Sequence, residues 1–93
     1  MRLTIEATLR SQRDGIESVS RAPRLTGYGP TQQTALESLR RTARAWVIGL
    51  RAGGYLDEAL ERHGLAWSAE GDEVEVEISV LDAEPASAPS TAP

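Results

Sequence analysis

The chain has 93 residues, a net charge of −4 and no cysteine. These values allow a single domain around one small core and exclude disulfides and thiolate metal sites. With 40% hydrophobic residues and no phenylalanine, that core must come mainly from Leu, Ile, Val and Ala. Charge is unevenly spread: all ten basic residues are arginines at or before Arg62, whereas seven acids and no base follow from Trp67 onward. An acidic stretch repels nucleic acid and suits a basic partner, or is simply a solvated face. No basic segment followed by an apolar run opens the chain, and no window approaches a membrane span, so a soluble cytoplasmic protein is expected.

The first segment alternates. Leu3, Ile5, Ala7 and Leu9 share one face, and Arg2, Thr4, Glu6, Thr8 and Arg10 the other, the pattern of a half-buried strand. Arg13-Asp14-Gly15 signals a hairpin turn. The return strand, Ile16 to about Arg21, is less regular because Ile16 and Val19 stand three apart, as a bulge or a short strand would allow. Pro23 interrupts pairing, and Arg24 to Tyr28 predicts a third short strand.

Thr31 is the expected N-cap of a long helix. Ala35, Leu36, Leu39, Ala43, Trp46, Val47 and Leu50 recur at three- and four-residue spacing as one apolar stripe. Gly53-Gly54 stops the run. Tyr55 to His63 predicts a shorter helix with Leu56, Ala59 and Leu60 on one side, closed by Gly64. Glu73 to Ser79 alternates again, with Val74, Val76, Ile78 and Val80 inward and Glu73, Glu75 and Glu77 outward. The rest, from Asp82 to Pro93, is rich in Ala, Pro, Ser and Thr and is expected to be a disordered tail. The predicted class is α+β: an antiparallel sheet of three to four strands packed on a long and a short helix, in the order β-β-β-α-α-β. The domain spans 1–81 and the tail 82–93.

The stretch Gly27-Tyr28-Gly29-Pro30-Thr31 resembles a phosphate loop only superficially. It lacks the third glycine, or the lysine with Ser or Thr, that such loops carry, and Pro30 removes a donor. The glycines are better explained as a tight strand-to-helix passage, including the option of positive φ. His63, at a predicted helix end, suits the helix dipole and has no evident nucleophile to activate. Glu73, Glu75 and Glu77 lie along a line with same-face neighbours about 7 Å apart, which does not converge on a cation. They are instead candidate contacts for a basic partner. Arg40, Arg41 and Arg44 form an alternative cationic face for nucleic acid, which the acidic balance disfavours. No catalytic, cofactor or metal site is assigned, and nothing argues for an enzyme.

Pro23, Leu25, Gly27, Gly29, Thr31, Ala35, Leu36 and Leu39 together resemble the signature of the HicB-like antitoxin family. The stretch 53–65, "GGYLDEALERHGL", is similar to a G-x-L-x-x-x-L-x-x-x-G continuation in that family. The resemblance covers about residues 1–80. It implies a partial ribonuclease-H-like fold without nuclease chemistry and a small basic ribonuclease toxin as partner, bound by occlusion. It also implies a homo-oligomer, dimer or tetramer. The sequence departs from the family pattern at Gln32, Gln33 and Thr34, where acids are common, and lacks the usual acid before the Pro-x-Leu segment. It also shows a Pro/Ala/Ser tail where many members carry a DNA-binding domain.

Overall fold

A computed structural model of the chain describes residues 1–69, 71 and 73–84. The elements run β1 (Arg2–Gln12), β2 (Gly15–Ser20), β3 (Thr26–Gly29), α1 (Gln32–Gly53), α2 (Leu56–His63), β4 (Ala66–Ser68) and β5 (Glu75–Glu84). The class is α+β, and the expected order of strands and helices holds, with one short strand added: β4 is only three residues long, too short for alternation to reveal.

β1 is the centre of the sheet. Leu3, Ile5, Ala7 and Leu9 are buried, as alternation requires. β2 folds back antiparallel in a register that closes Gln12 on Gly15, so Arg13 and Asp14 are the two residues of the loop. β3 then pairs antiparallel with β2. β5 pairs with β1 in parallel from Arg2↔Glu75 to Arg10↔Glu84, with a register shift between Ala7 and Thr8. β4 pairs antiparallel with Arg2, Leu3 and Thr4. A strand has two edges, and these three residues pair with both β4 and β5. β2 and β5 likewise share Ala7 to Arg10. Consequently β2 and β4 occupy one edge of β1, end to end, and β5 occupies the other. Among the described residues β3, β4 and β5 each pair with a single strand, so β5 is an outermost strand of the five-stranded sheet.

β2 turns a different face to the helix than its hydrophobic residues suggest. Its buried residues are Ser18 and Ser20. The Ser18 hydroxyl donates to the Ala35 carbonyl of α1 at 2.7 Å, and the Ser20 hydroxyl donates to the Pro23 carbonyl while accepting from the Leu25 amide at 2.9 Å. Each buried hydroxyl therefore has a partner, as burial demands. The second pair of contacts fixes the turn into β3. The peptide bond between Ala22 and Pro23 in that turn is cis.

α1 begins at Thr31, whose hydroxyl accepts from the Thr34 amide at 3.2 Å, while the Thr34 hydroxyl accepts from the Thr31 amide at 3.0 Å. This reciprocal box satisfies two amides that a helix start leaves unpaired. The stripe expected from spacing is the one that packs: Ala35, Leu39, Ala43 and Val47 are buried, and Leu36, Trp46 and Leu50 are half-buried. α1 and α2 end in Gly54 and Gly64, both left-handed at φ 81° and 62°, a conformation that favours glycine. Met1, Leu3, Ile5, Ala43, Val47, Leu60, Val74 and Val76 form the core, with Trp46 and Ile78 packed against it. Trp46 meets His63 edge to face at 5.8 Å between ring centres, which ties α2 to α1.

Gly27 and Gly29 answer the question their sequence poses. Neither belongs to the positive-φ glycines, which are Gly54, Gly64 and Gly71. They are needed because α1 lies directly on β3. A Cβ on Gly27 would stand 2.6 Å from the Ala35 carbonyl and 2.7 Å from the Ser18 hydroxyl, and would press on the Leu39 amide. One on Gly29 would stand 2.8 Å from the Ala35 amide and collide with Thr34. Real Cβ contacts are not that short, so the helix start sits where it does because these two positions lack side chains.

Candidate functional site

From its start over β3 and β2, α1 runs obliquely across the sheet and reaches the beginning of β5. There the Arg44 guanidinium donates to the Val74 carbonyl at 3.2 Å. A groove of about 520 Å³ opens between the helix and β5, lined by Arg40, Arg44, Val74, Glu75, Val76, Glu77 and Ile78. It brings together most of the two residue sets singled out from sequence, on opposite sides of one cleft.

The acidic set is placed as follows. Glu75 and Glu77 are exposed at the start of β5, on the sheet face opposite the helix. Arg2, their neighbour on β1, reaches Glu75 at 3.2 Å and Glu77 at 4.0 Å. These side chains are about half exposed or more, so such contacts add little to stability. They leave the pair a partly compensated, solvent-facing carboxylate site. Glu73 lies ahead of the strand, which begins at Glu75 and not at Glu73 as alternation suggested. Its carbonyl accepts from the Met1 amino group at 2.8 Å, and the Gly71 carbonyl accepts from the same group at 3.1 Å. Glu73 thus helps to anchor the first residue, while its side chain remains exposed.

The cationic set divides. Arg40 and Arg44 line the groove, whereas Arg41 does not. Arg40 is held by Glu37 at 2.9 Å, one helical turn before it. A second arginine grouping escaped sequence reasoning: Arg10, Arg21 and Arg24 surround a hollow of about 260 Å³ with Thr8, Val19 and Ser20. Strand pairing and the Ser20-anchored turn bring them together from separate elements, and no sequence spacing announces it. His63 lines a smaller hollow of about 210 Å³ with Thr4, Glu6, Arg21 and Leu65, at the break between β2 and β4.

Two further expectations on β5 are corrected by the geometry. Val80 was expected inward, but it is 43% exposed. The helix has crossed to the start of β5, and the far half of the strand projects beyond it. The strand also continues past the expected domain boundary at 81: Asp82, Ala83 and Glu84 pair with Thr8, Leu9 and Arg10. β1 is long enough to offer those partners, which composition alone does not reveal. The remainder of the expected tail, 85–93, lies outside the described residues. Leu81, the extra residue at the register shift, is 56% exposed.

Among the described residues, no group of three His, Asp or Glu side chains is placed to hold a metal ion, and no helix is long and apolar enough to cross a membrane. No protein-family model, curated protein or solved structure matches the chain.

Proposed function

We propose that this chain is a non-catalytic HicB-like antitoxin, or an orphan relative of one, that binds and occludes a small basic ribonuclease toxin. One observation carries the proposal: the acidic residues Glu75 and Glu77 sit on an outermost strand, exposed and beside a groove. Charge presented on an accessible rim accelerates encounter with an oppositely charged protein and selects among partners. The α+β order of three strands, two helices and the strands β4 and β5 supports this reading. Binding to such a toxin places the protein in the cytoplasm. The homo-oligomer also implied by the resemblance belongs to this proposal, and its mass follows from light scattering.

The test is co-purification of the chain with the product of a neighbouring gene that encodes a small basic protein, followed by an RNA-cleavage assay. The proposal expects a complex that dissociates with rising salt and a ribonuclease activity that the chain suppresses. A neighbouring basic protein that neither binds nor cleaves RNA removes the antitoxin role.

The rival reading, a nucleic-acid or ligand regulator working through Arg40, Arg41 and Arg44, draws less support. Arg40 is held by Glu37, Arg44 is tied to the Val74 carbonyl, and the groove they border carries Glu75 and Glu77 on its other wall. Phosphates approaching that groove also feel the carboxylates on the opposite face of β5, whose field opposes them. A low-salt gel shift with single-stranded RNA separates the two readings.

A further inference from the structure

We propose that β5 recognises its partner by strand addition, and that the occupant of its open edge is an extended segment with alternating basic and apolar side chains. This rests on the preceding choice of β5 as the partner surface, and it specifies how that surface is read.

The backbone supplies the first argument. Among the described residues β5 pairs only with β1. In a parallel ladder, the N–H and C=O of one residue point to the same side, and the side alternates along the strand. The Glu75 amide donates to the Met1 carbonyl at 2.8 Å, so Glu75 and Glu77 address β1. Val76 and Ile78 therefore present their N–H and C=O to the open side. An unpaired row of this kind is a template for another strand.

Side chains decide which strand. An added strand has two faces. Its outward face lies beside Glu75 and Glu77, which favour lysine or arginine at alternate positions. Its inward face enters the groove over Val76 and Ile78, below the stems of Arg40 and Arg44, where an apolar side chain fits and a basic one meets like charge. Alternation of basic and apolar residues satisfies both faces at once.

The same charges argue against a second copy of β5 as occupant. Glu75 and Glu77 stand two residues apart on one face of β5. Antiparallel overlap of two β5 strands brings these acids beside one another, and like charges across a strand pair are destabilising. Charged residues on an edge are a recognised means of preventing self-pairing. Val80 and Leu81, exposed on the same strand, are then available to a foreign segment.

The experiment uses the full chain and three capped synthetic heptapeptides: alternating lysine and valine, the same residues in two blocks, and alternating glutamate and valine. Amide hydrogen exchange is followed by NMR. The alternating lysine peptide is expected to slow exchange at Val76 and Ile78 by at least tenfold, with the other two peptides leaving it unchanged. The E75Q/E77Q double variant is expected to weaken that peptide's binding roughly tenfold. Unaltered exchange at Val76 and Ile78 overturns strand addition. So does equal protection by the block or glutamate peptide, or a dimer of the chain in which these amides are already protected. A basic ribonuclease that binds without protecting them refutes strand addition and leaves the antitoxin reading standing. Protection by the lysine peptide, with no ribonuclease bound, supports the edge and removes the antitoxin role alone.

Discussion

Replacing Gly27 by alanine tests the packing that positions every other feature of the molecule. The added methyl would lie 2.6 Å from the Ala35 carbonyl and 2.7 Å from the Ser18 hydroxyl, and closer still to the Leu39 amide. Two of these three atoms are helix backbone, so relief requires α1 to lift from β3 along its first two turns. Overpacking costs about 1–3 kcal/mol, and backbone obstacles place this case near the upper value. A chain of this size has a total stability of about 5–14 kcal/mol, so the loss is a large share of it. The melting temperature should fall by about 10–20 °C, at 4–8 °C per kcal/mol. The control is Gly49→Ala, on an exposed part of the same helix where nothing lies within 4 Å of the new methyl. There the helix gains about 0.5–1 kcal/mol. Circular-dichroism melting of the two variants should therefore shift in opposite directions. Removing the Ser18 hydroxyl in the Gly27→Ala background should restore little, because the two backbone obstacles remain. A Gly27→Ala protein that melts within a degree or two of the parent would refute the account of β3 as a close seat for α1, and with it the explanation of the Gly-x-Gly pattern.

Further substitutions probe other links. Thr31→Ala removes the hydroxyl that accepts from the Thr34 amide and should cost about 1 kcal/mol in urea denaturation. Leu39→Ala, at a fully buried position of the helix stripe, should cost about 3–4 kcal/mol; a loss below 1 kcal/mol would contradict its burial. The E75Q/E77Q variant breaks only exposed contacts with Arg2, so its stability should stay within about 1 kcal/mol of the parent, while affinity for a basic partner falls. The two effects are read from the same preparation by thermal melting and titration.

Periodicity made most of the framework legible because burial on one face leaves a simple record. The i, i+2 pattern of Leu3, Ile5, Ala7 and Leu9 and the helical recurrence of Ala35, Leu39, Ala43 and Val47 both report a single apolar side. The threonine cap was legible for the same local reason, since its partner is three residues away. What sequence did not disclose depends on neighbours far along the chain. Ser18 and Ser20 face the interior, because each finds a backbone group to bond; a rule that inward means apolar assigns β2 the wrong face. Gly27 and Gly29 read from sequence as a strand-to-helix passage that allows positive φ, but what requires glycine there is the steric approach of a helix.

The candidate site shows the same division more sharply. Its acidic residues were visible as alternation in the last strand, but alternation cannot say whether a strand is central or outermost. That distinction determines what Glu75 and Glu77 are able to do. On a central strand they would be enclosed by neighbours on both sides; here, among the described residues, one side is open, and the groove beneath Arg40 and Arg44 adjoins it. The crossing direction of α1 creates this asymmetry. Its seat on Gly27 and Gly29 commits the helix to one corner of the sheet, so it reaches Val74 but does not cover Val80. The glycines that first suggested an anion loop therefore influence recognition indirectly, by setting the helix path that leaves the end of β5 uncovered. A substitution at Gly27 that still folds should shift the groove between α1 and β5, and binding of the alternating lysine peptide should weaken even though Gly27 is remote from it. Unchanged binding in a destabilised Gly27→Ala protein would show that the helix path and the open edge are independent.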